Sequence, residues 1–425
     1  MQWHNILYLS DRIFLTDKSL PSAVLDELRN QGLIAPDMLR VHFCGIVSYA
    51  DGLAVFLPRN HNASIEDGGT SGHVLLQALM KYYQDKDSGV YAQENGDDVI
   101  GGRAFSLATS LLDDYRDNGL YVRRMKEQTL NSGKVNWSRS ISHSTSYPSA
   151  KGSIYLDLIT SRSRYIANCE TAKIHAYVMK ELFFDYGMLW LGMETYFDEP
   201  LELMPKPKGD IDMNIAYLQR ELQLSYSERD IFLIKGLIKY LCTKKGITIN
   251  NVLIGVRKFH NLWESMLDEC LIGKYSVNRK LPVPVYQIVD DSYTTVAQKG
   301  QRTDTVLKHA NGSRFAVIDA KYYEASSPTT APGWPDLVKQ FFYQDAVRIL
   351  EGEDAHITNH FIFPGTKPAL KSVHIAKRGV AIESATDCLT DYQPIHCHYQ
   401  DPIDLLKIYV KGLKLNKLTE TIFKT

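Results

Sequence analysis

The chain has 425 residues, of which 44% are hydrophobic and 23% charged, as in an ordinary globular protein. This length predicts two or three domains, and the formal net charge of -1 excludes a global basic field for nucleic acid, although not a local basic groove. No apolar stretch reaches about 18 residues and no charged-then-apolar leader is present, so we expect neither a membrane span nor a secretory signal. The six scattered cysteines indicate free thiols in a reducing cytoplasm.

The N-terminal part of the chain predicts short strands mixed with helices. Residues 41–60 predict a β-hairpin, because two apolar, β-rich runs flank an Asp-Gly turn signal. Residues 73–85 and 106–121 have helical spacing, and an Asn-Gly pair is expected to end the second helix. Residues 121–155 are polar, basic and aromatic, which predicts loops and short strands.

The best candidate linker is the stretch 204–212, which contains two prolines and a glycine. The elements predicted after it are helices at about 212–224, 227–243, 250–272 and 335–350, and strands at 304–308, 314–321, 358–363 and 373–383. This order predicts a mixed sheet flanked by helices. We therefore predict an α+β (mixed α/β) protein in two parts, an N-terminal α+β region of residues 1–205 and a second domain of residues 206–425.

Two acidic residues and a lysine are expected to meet where a buried strand ends. The run RFAVIDAKYY, residues 314–323, begins as a buried strand and then places Asp319 and Lys321 on one face. Asn311-Gly312 predicts a hairpin turn before this strand, which would bring Asp304 near Asp319 at the open end. Two converging carboxylates raise each other's pKa unless a cation lies between them.

These side chains are suited to metal-dependent hydrolysis of a phosphodiester. Mg²⁺ binds one or two carboxylates, keeps several waters and accepts phosphate oxygens from a substrate. A lysine beside the metal can orient or activate the attacking water, or stabilise the charge that develops on the phosphate. The three residues are therefore the core of a candidate active site.

The same residues resemble the motif of the PD-(D/E)xK nuclease superfamily, in which two acids ligate Mg²⁺ and a lysine acts on the water. Asp304 and the triplet Asp319-Ala320-Lys321 match the motif, with Thr303 in place of its proline. Glu264 lies on a predicted helix, like the acidic residue on the first core helix of many of these nucleases. Gln340 lies on the helix after the triplet, although the next tyrosine is three positions away rather than the expected four.

The resemblance implies a role for each of these residues. They are Mg²⁺ ligands (Asp304, Asp319, the Ala320 carbonyl and, through water, Glu264), a residue that positions or activates the water (Lys321) and a residue that orients the site (Gln340). Mn²⁺ is expected to substitute for Mg²⁺. The implied fold is a PD-(D/E)xK restriction-endonuclease-like core at about residues 250–370, and the implied product is a strand break in duplex DNA.

Four stretches of the chain resemble the LlaJI family of restriction endonucleases: FCGIVSYADGLAVFLPR, LLDDYRDNGLY, GKVNWSRSI and IDAKYY. These proteins are McrC-like subunits of McrBC-type restriction systems, which act in anti-phage defence. The resemblance implies a cytoplasmic subunit that cuts double-stranded DNA when licensed by a separate McrB-like AAA+ GTPase, with dimerisation as a route to cutting both strands. The chain has no GxxxxGK[ST] phosphate loop, so we expect it not to hydrolyse nucleotide itself.

Several of the candidate side chains have a simpler interpretation. Glu264 shares its helix with Asp268 and Glu269, so a solvated acidic face accounts for it about as well as a site does. Gln340 equally fits an amide on a helix surface. The stretch His396-Cys397-His398 has no usual zinc spacing, and we expect no zinc site there.

Residues 121–155 leave three interpretations open. The first is DNA binding, the second is docking of the partner GTPase, and the third is an exposed loop with one packed tryptophan. The basic and aromatic residues concerned are Arg123, Arg124, Lys126, Lys134, Trp137 and Arg139.

Two other functions are alternatives for the whole chain. One is a non-catalytic subunit that uses a nuclease-like fold to bind DNA or to stimulate the GTPase, and the intact set of acids and lysine argues against it. The other is a glycosidase with Asp304 and Asp319 as acid and base. Lys321 beside the acids, and the lack of an aromatic cleft signature, argue against that function.

Overall fold

The computed structural model of the protein describes residues 5–30, 32–34, 39–49, 52–62, 68–87, 99–100, 102–192, 198–246, 253–297 and 300–425. The helices of these residues are α1 (Ser22–Asn30), α2 (Gly68–Asp87), α3 (Gly102–Asn118), α4 (Trp137–His143), α5 (Glu170–Leu191), α6 (Glu199–Leu203), α7 (Ile211–Gln223), α8 (Glu228–Gly246), α9 (Phe259–Cys270), α10 (Trp334–Glu351), α11 (Pro402–Val410) and α12 (Asn416–Lys424). The strands are β1 (Asn5–Ser10), β2 (Cys44–Tyr49), β3 (Gly52–Leu57), β4 (Val99–Ile100), β5 (Arg123–Leu130), β6 (Lys134–Val135), β7 (Ser146–Ser149), β8 (Gly152–Tyr155), β9 (Ile159–Ile166), β10 (Leu253–Val256), β11 (Val285–Gln287), β12 (Tyr293–Thr295), β13 (Thr305–Lys308), β14 (Arg314–Ala320), β15 (His356–Pro364), β16 (Ser372–Val373) and β17 (Ile395–Gln400). The predicted mixed α+β class is confirmed.

Two compact units divide the chain, and the chain of one interrupts the chain of the other. The insert unit consists of Met1–Trp3, Arg103–Gly187 and Thr195–Asn250. The main unit consists of His4–Gly102, Met188–Glu194 and Asn251–Thr425. The boundary predicted at residue 205 does not separate these units, because strands of the N-terminal residues pair with a strand that follows the insert.

The pairing that joins these distant segments lies in a five-stranded sheet of the main unit, ordered β1-β3-β2-β10-β4. β2 and β3 form the predicted hairpin, whose turn residues 50 and 51 lie outside the described residues. β10 pairs antiparallel with both β2 and β4. Gly45 and Gly255 lie opposite each other, and a Cβ atom on Gly255 would lie 2.5 Å from the ring of Phe43. The glycine pair therefore leaves room for this ring against the ladder.

The second five-stranded sheet of the main unit carries the candidate residues, in the order β13-β14-β15-β17-β16. β14, β15 and β17 are parallel, whereas β13 and β16 run antiparallel to their neighbours, so the sheet is mixed as predicted. α10 packs on this sheet, where Phe315 and Val317 of β14 share a core cluster with Val347 of the helix. Every residue of β14 after the first is buried, as its continuous apolar run predicts.

Two predicted elements differ from the structure. The helix predicted at 250–272 is β10 followed by α9, because the short apolar run Leu253–Val256 pairs in a sheet instead of extending the helix. The strand predicted at 373–383 is only Ser372–Val373. β15 pairs in parallel with β14 on one side and with β17 on the other. β17 was not predicted, because its sequence IHCHYQ has few apolar residues.

The insert unit contains two small sheets. β5 pairs with β9 over its whole length, β9 also pairs with β6, and β7 and β8 form a hairpin. The short strands predicted in residues 121–155 are therefore confirmed, but the stretch also contains the helix α4, which was not predicted. α3 ends at Asn118 and is followed by Gly119 with φ 69°, as its Asn-Gly signal predicts. Among the described residues of either unit, no helix has the length and apolarity of a membrane span.

Candidate active site

Asp304 and Asp319 meet at one end of the β13–β14 hairpin. Thr305 lies opposite Ile318 in the antiparallel ladder, so the next position along is an acid on each strand. Asp304 Oδ2 accepts a hydrogen bond of 3.1 Å from the amide of Ala320, and Asp319 is only 1% exposed. The structure therefore brings the two acids together where the sequence placed them.

The two carboxyl groups share a buried environment. Burial raises the pKa of Asp304 well above its ordinary value, and the Asp319 carboxylate beside it raises that pKa further. Burial, followed by the charge of Asp319, also raises the pKa of Glu264 to about 7. The ammonium groups of Lys339 and Lys321 oppose the shift of Glu264. This end of the hairpin therefore favours a bound proton or an added positive charge.

Lys321 directly follows β14 and is fixed at the same end. Its amide donates a hydrogen bond of 3.0 Å to the carbonyl of Ile362 on β15. Its Nζ atom lies 3.0 Å from Asp319 Oδ2 and 2.7 Å from Asp336 Oδ1. Burial alone would lower the pKa of Lys321, but the two carboxylates outweigh it and raise that pKa. The side chain is therefore an ammonium ion at neutral pH.

Glu264 reaches the acid pair from α9. This helix buries its apolar residues at a spacing of three and four positions, and Glu264 beside them is half-buried. The other two acids of the helix have different partners: Asp268 Oδ1 accepts a hydrogen bond of 2.8 Å from Thr305 Oγ1, and Glu269 Oε1 lies 2.5 Å from Lys81 Nζ. The three acids are thus not equivalent members of a solvated face, since Asp268 and Glu269 have partners of their own and Glu264 interacts with the charge of Asp319.

Gln340 attaches α10 to the strand that carries Asp319. It is fully buried, and its Nε2 atom donates a hydrogen bond of 2.8 Å to the carbonyl of Val317. Its Oε1 atom has no hydrogen-bond partner among the described residues. Gln340 is therefore an interior residue beside the acid pair, not an amide on the helix surface.

Sequence reasoning missed the residue that holds the approach to Asp304. Asn278 Oδ1 accepts a hydrogen bond of 2.9 Å from the amide of Thr303, and Asn278 Nδ2 donates one of 3.0 Å to the Thr303 carbonyl. These bonds fix the backbone just before the first acid. Asn278 lies in a segment without periodicity, so no pattern in the sequence points to it.

Two charged residues of α10 were also missed. Burial lowers the pKa of Lys339, but the charges of Asp319 and Asp304 raise it overall, which places its ammonium near the acid pair. Asp336, three residues earlier on the helix, contacts Lys321. The signal that could have found them is helical phase, because positions three and four apart share the face of α10 on which Gln340 lies.

The acid pair fits a divalent cation of the Mg²⁺ type. Asp319 Oδ2 is buried and accepts no hydrogen bond of ordinary geometry from the described residues, although Lys321 lies close to it. Within those same residues, no group of three or more His, Cys, Asp and Glu side chains is arranged to hold a metal ion. Mg²⁺ needs only one or two carboxylates, since waters and phosphate oxygens complete its shell. Asp304 and Asp319 meet this requirement, and the further ligands Glu264 and the Ala320 carbonyl stay predictions.

A mixed sheet flanked by helices, with two acids and a lysine at the end of one hairpin, is consistent with a restriction-endonuclease-like fold. The chain belongs to the LlaJI restriction endonuclease family, whose model matches residues 43–375. No curated protein matches the chain significantly.

Two solved structures have a distant likeness to the chain. One is the refined half-complex from the tetradecameric assembly of Thermococcus gammatolerans McrB AAA+ hexamers with bound McrC, where the match covers 97% of this chain and 100% of the other at 13% identity and a TM-score of 0.41. The other is the cryo-EM structure of the Thermococcus gammatolerans McrBC complex, where it covers 61% of this chain and 85% of the other at 10% identity and a TM-score of 0.26. Likeness at this level is too low to support an argument about fold or function.

Proposed function

We propose that the protein is the Mg²⁺-dependent endonuclease subunit of an McrBC-type restriction system and hydrolyses phosphodiester bonds of double-stranded DNA. The observation that carries the proposal is the buried pair of Asp304 and Asp319, with the ammonium of Lys321 3.0 Å from Asp319. Two carboxylates and a cation at one strand end are groups that can hold a metal ion and a phosphodiester together. Membership of a restriction endonuclease family supports the same activity.

Each side chain has a chemical task in this proposal. The proposed metal ligands are Asp304, Asp319, the Ala320 carbonyl and, through water, Glu264. A Mg²⁺ or Mn²⁺ ion held by these ligands would supply positive charge to the phosphate and would lower the pKa of the attacking water. Because Lys321 is charged, it donates hydrogen bonds to the attacking water or to a phosphate oxygen and does not accept a proton. Gln340 orients the site by holding α10 against β14.

The proposal includes an McrB-like AAA+ GTPase as partner. The given sequence has no phosphate-loop motif, and we assign nucleotide hydrolysis to this partner. The resemblance of the chain to McrC-like subunits of the LlaJI family implies a partner of this kind. We also propose that two copies act together to cut both strands of DNA. The free cysteines support a cytoplasmic location.

We further propose that residues 1–205 contact the partner or the DNA. Arg124 and Lys126 project to one face of β5, and the strand pairing places Lys134 of β6 on that same face. All three side chains are exposed, and Trp137 nearby in sequence is 59% exposed. Such a face suits DNA phosphates and an acidic partner surface equally, so both contacts stay within the proposal.

The proposal is tested by plasmid cleavage with and without Mg²⁺. Wild-type protein is combined with the AAA+ GTPase of its own restriction system and GTP, in Mg²⁺ or in EDTA, and is compared with Lys321→Ala. Lys367→Ala is the matched control, because Lys367 is exposed and lies in the loop after β15. We expect Lys321→Ala to cut at least about 10²-fold more slowly while its melting temperature stays near that of wild type. The control should cut at the wild-type rate.

Two outcomes would contradict the proposal. Cleavage by Lys321→Ala at the wild-type rate, in a preparation free of contaminating nuclease, would exclude the assigned site. If the protein only stimulates GTP hydrolysis by the partner, equally with both variants, and no methylated or unmethylated plasmid is cut, the non-catalytic subunit is the better description.

A further inference from the structure

The ammonium of Lys321 has two carboxylate partners, and only one of them belongs to the nuclease motif. Its Nζ atom lies 3.0 Å from Asp319 Oδ2 and 2.7 Å from Asp336 Oδ1. The contact with Asp336 is the shorter of the two and is a hydrogen bond. Both side chains are shielded from solvent, since Lys321 is 13% and Asp336 22% exposed. Solvent and salt screen the attraction within such a shielded, hydrogen-bonded ion pair less than they screen an exposed pair.

Asp336 is itself held in place from three directions. It lies in the first turn of α10, where its amide donates a hydrogen bond of 3.0 Å to the carbonyl of Gly333. The hydroxyl of Tyr323 donates a hydrogen bond of 3.2 Å to its second oxygen, Oδ2. Gln340 ties the same helix to β14 through the bond of 2.8 Å to Val317. A carboxylate near a helix N-terminus is also favoured by the helix dipole.

A second anchor matters because Asp319 is expected to have another task. If Asp319 ligates a divalent cation, its oxygens are shared between that ion and the lysine. A lysine side chain has four rotatable bonds and loses much rotamer entropy when it is fixed, so one shared contact holds it poorly. Asp336 is not one of the proposed metal ligands, so its ion pair with the Lys321 ammonium can persist while Asp319 binds the metal.

We propose that Asp336 is a positioning residue, which keeps the Lys321 ammonium at the end of the β13–β14 hairpin while Asp319 binds the metal. This inference rests on the proposed nuclease function, and it assigns a role to a residue outside the motif. Tyr323 supports the arrangement by orienting the Asp336 carboxylate.

The first test compares Asp336→Asn with Asp336→Glu in the licensed plasmid assay. The amide keeps the shape of the side chain and removes its charge, whereas glutamate restores the charge on a longer stem. We expect kcat of Asp336→Asn to fall roughly 10- to 100-fold with KM for DNA little changed, because a displaced catalytic group lowers kcat. Asp336→Glu should recover much of the loss. Asp345→Asn is the matched control, since Asp345 lies on the same helix and makes an exposed ion pair with Arg348.

The second test does not depend on cleavage. The rate at which N-hydroxysuccinimidyl acetate modifies Lys321 is measured by peptide mass spectrometry, with exposed Lys367 as the internal reference. We expect Lys321 to react severalfold faster in Asp336→Asn than in wild type, and to be unchanged in Asp345→Asn.

Either of two results would overturn the inference: wild-type kcat in Asp336→Asn, or an unchanged modification rate of Lys321 in that variant. A kcat loss that Asp336→Glu does not recover, accompanied by a lower melting temperature, would also overturn it, because Asp336 would then act only on folding. If wild-type protein cuts no DNA under any licensed condition, the nuclease function fails. The modification rate then decides by itself whether Asp336 holds Lys321.

Discussion

Gln340 and Gln344 lie one helical turn apart on α10 and have different surroundings. Gln340 donates to the carbonyl of Val317, beside the acid pair. Gln344 Nε2 donates a hydrogen bond of 2.6 Å to Gln393 Oε1, and Gln344 Oε1 accepts one of 2.6 Å from Asn359 Nδ2. At the scale of single residues, the structure therefore separates a glutamine of the candidate site from one that satisfies the core. The spacing between a glutamine and the next tyrosine in the sequence could not show which of the two glutamines belongs to the candidate site.

This separation predicts different effects for two matched substitutions. Gln344→Leu should lower the free energy of unfolding by about 1–3 kcal/mol, because it leaves the buried amide of Asn359 unpaired. Its cleavage rate per folded molecule should stay at the wild-type level. Gln340→Leu should lower the cleavage rate of the folded protein, since α10 loses its bond to β14. Urea unfolding and plasmid cleavage measure the two effects, and a reversed pattern would show that Gln344 is the site residue.

At the scale of elements, the parallel pairing of β15 with β17 brings together three histidines, of which His360 and His398 are buried and His396 is half-buried. His360 Nδ1 lies 3.0 Å from His398 Nε2, and His360 Nε2 lies 2.7 Å from Thr358 Oγ1. The ring of His396 stacks on that of His360 with centroids 5.5 Å apart. Burial lowers the pKa of all three histidines, and that of His398 falls to about 4. The pair of β15 and β17 is therefore stable with neutral histidines.

The histidine pKa values predict a loss of stability in acid. The folded pKa of His398, about 4, lies below the unfolded value, so the unfolded state binds more protons as the pH falls below about 6.5. This single group should cost about 2 kcal/mol of the free energy of unfolding between pH 7.5 and pH 5. His398→Gln should show a correspondingly smaller loss in urea unfolding at the two pH values. His356→Gln, at the exposed start of β15, is the control and should lose as much as wild type. Equal losses in all three proteins would mean that His398 does not titrate in this way.

At the scale of the whole molecule, the main unit is assembled from both ends of the chain. β10 pairs with β2 and β4, and the hydroxyl of Tyr322, next to Lys321, accepts a hydrogen bond of 2.7 Å from the amide of Arg59. Arg59 Nη2 also lies 3.2 Å from Glu324 Oε2. The N-terminal sheet thus contacts the segment that follows the motif. Between the neighbouring strands β4 and β10 the chain runs through the insert unit, apart from Met188–Glu194, which belong to the main unit.

This assembly predicts which parts of the chain can be removed. A protein of residues 206–425 alone should lack a cooperative thermal transition, because β10 and Tyr322 lose their partners. Replacing residues 123–166 with a short glycine-serine linker should leave the transition of the main unit near its wild-type temperature. The linker can close the gap because Arg123 and Ile166 are paired across the ladder. Calorimetry distinguishes the two proteins, and a cooperative transition near the wild-type temperature in residues 206–425 would contradict the assembly.

The local parts of the candidate site were predictable, and the distant parts were not. Asp304, Asp319 and Lys321 lie in or directly beside the two strands of one hairpin and are close in sequence. The turn signal and the buried apolar run were therefore enough to predict that they lie close in space. The predicted helix was enough to propose Glu264 as a site residue. Only the contacts of the folded chain showed that Glu264 interacts with the charge of Asp319, whereas Asp268 bonds to Thr305.

The strand β17 was missed because its sequence has too few apolar residues to show an alternation of apolar and polar positions. The strand β10 was missed because a run of four residues is too short to distinguish a strand from a helix by periodicity.

Sequence patterns alone predicted the hairpin with its acids and lysine, the apolar faces of the helices and the resemblance to a restriction endonuclease family. These features depend on spacing within one element or between chain neighbours. Three features became visible only in the folded chain: Asp336 contacts Lys321, Asn278 holds Thr303, and residues 4–102 share a unit with residues 251–425. Contacts of this kind depend on which faces pack together, and packing free energy depends on the buried surface and not on separation along the chain.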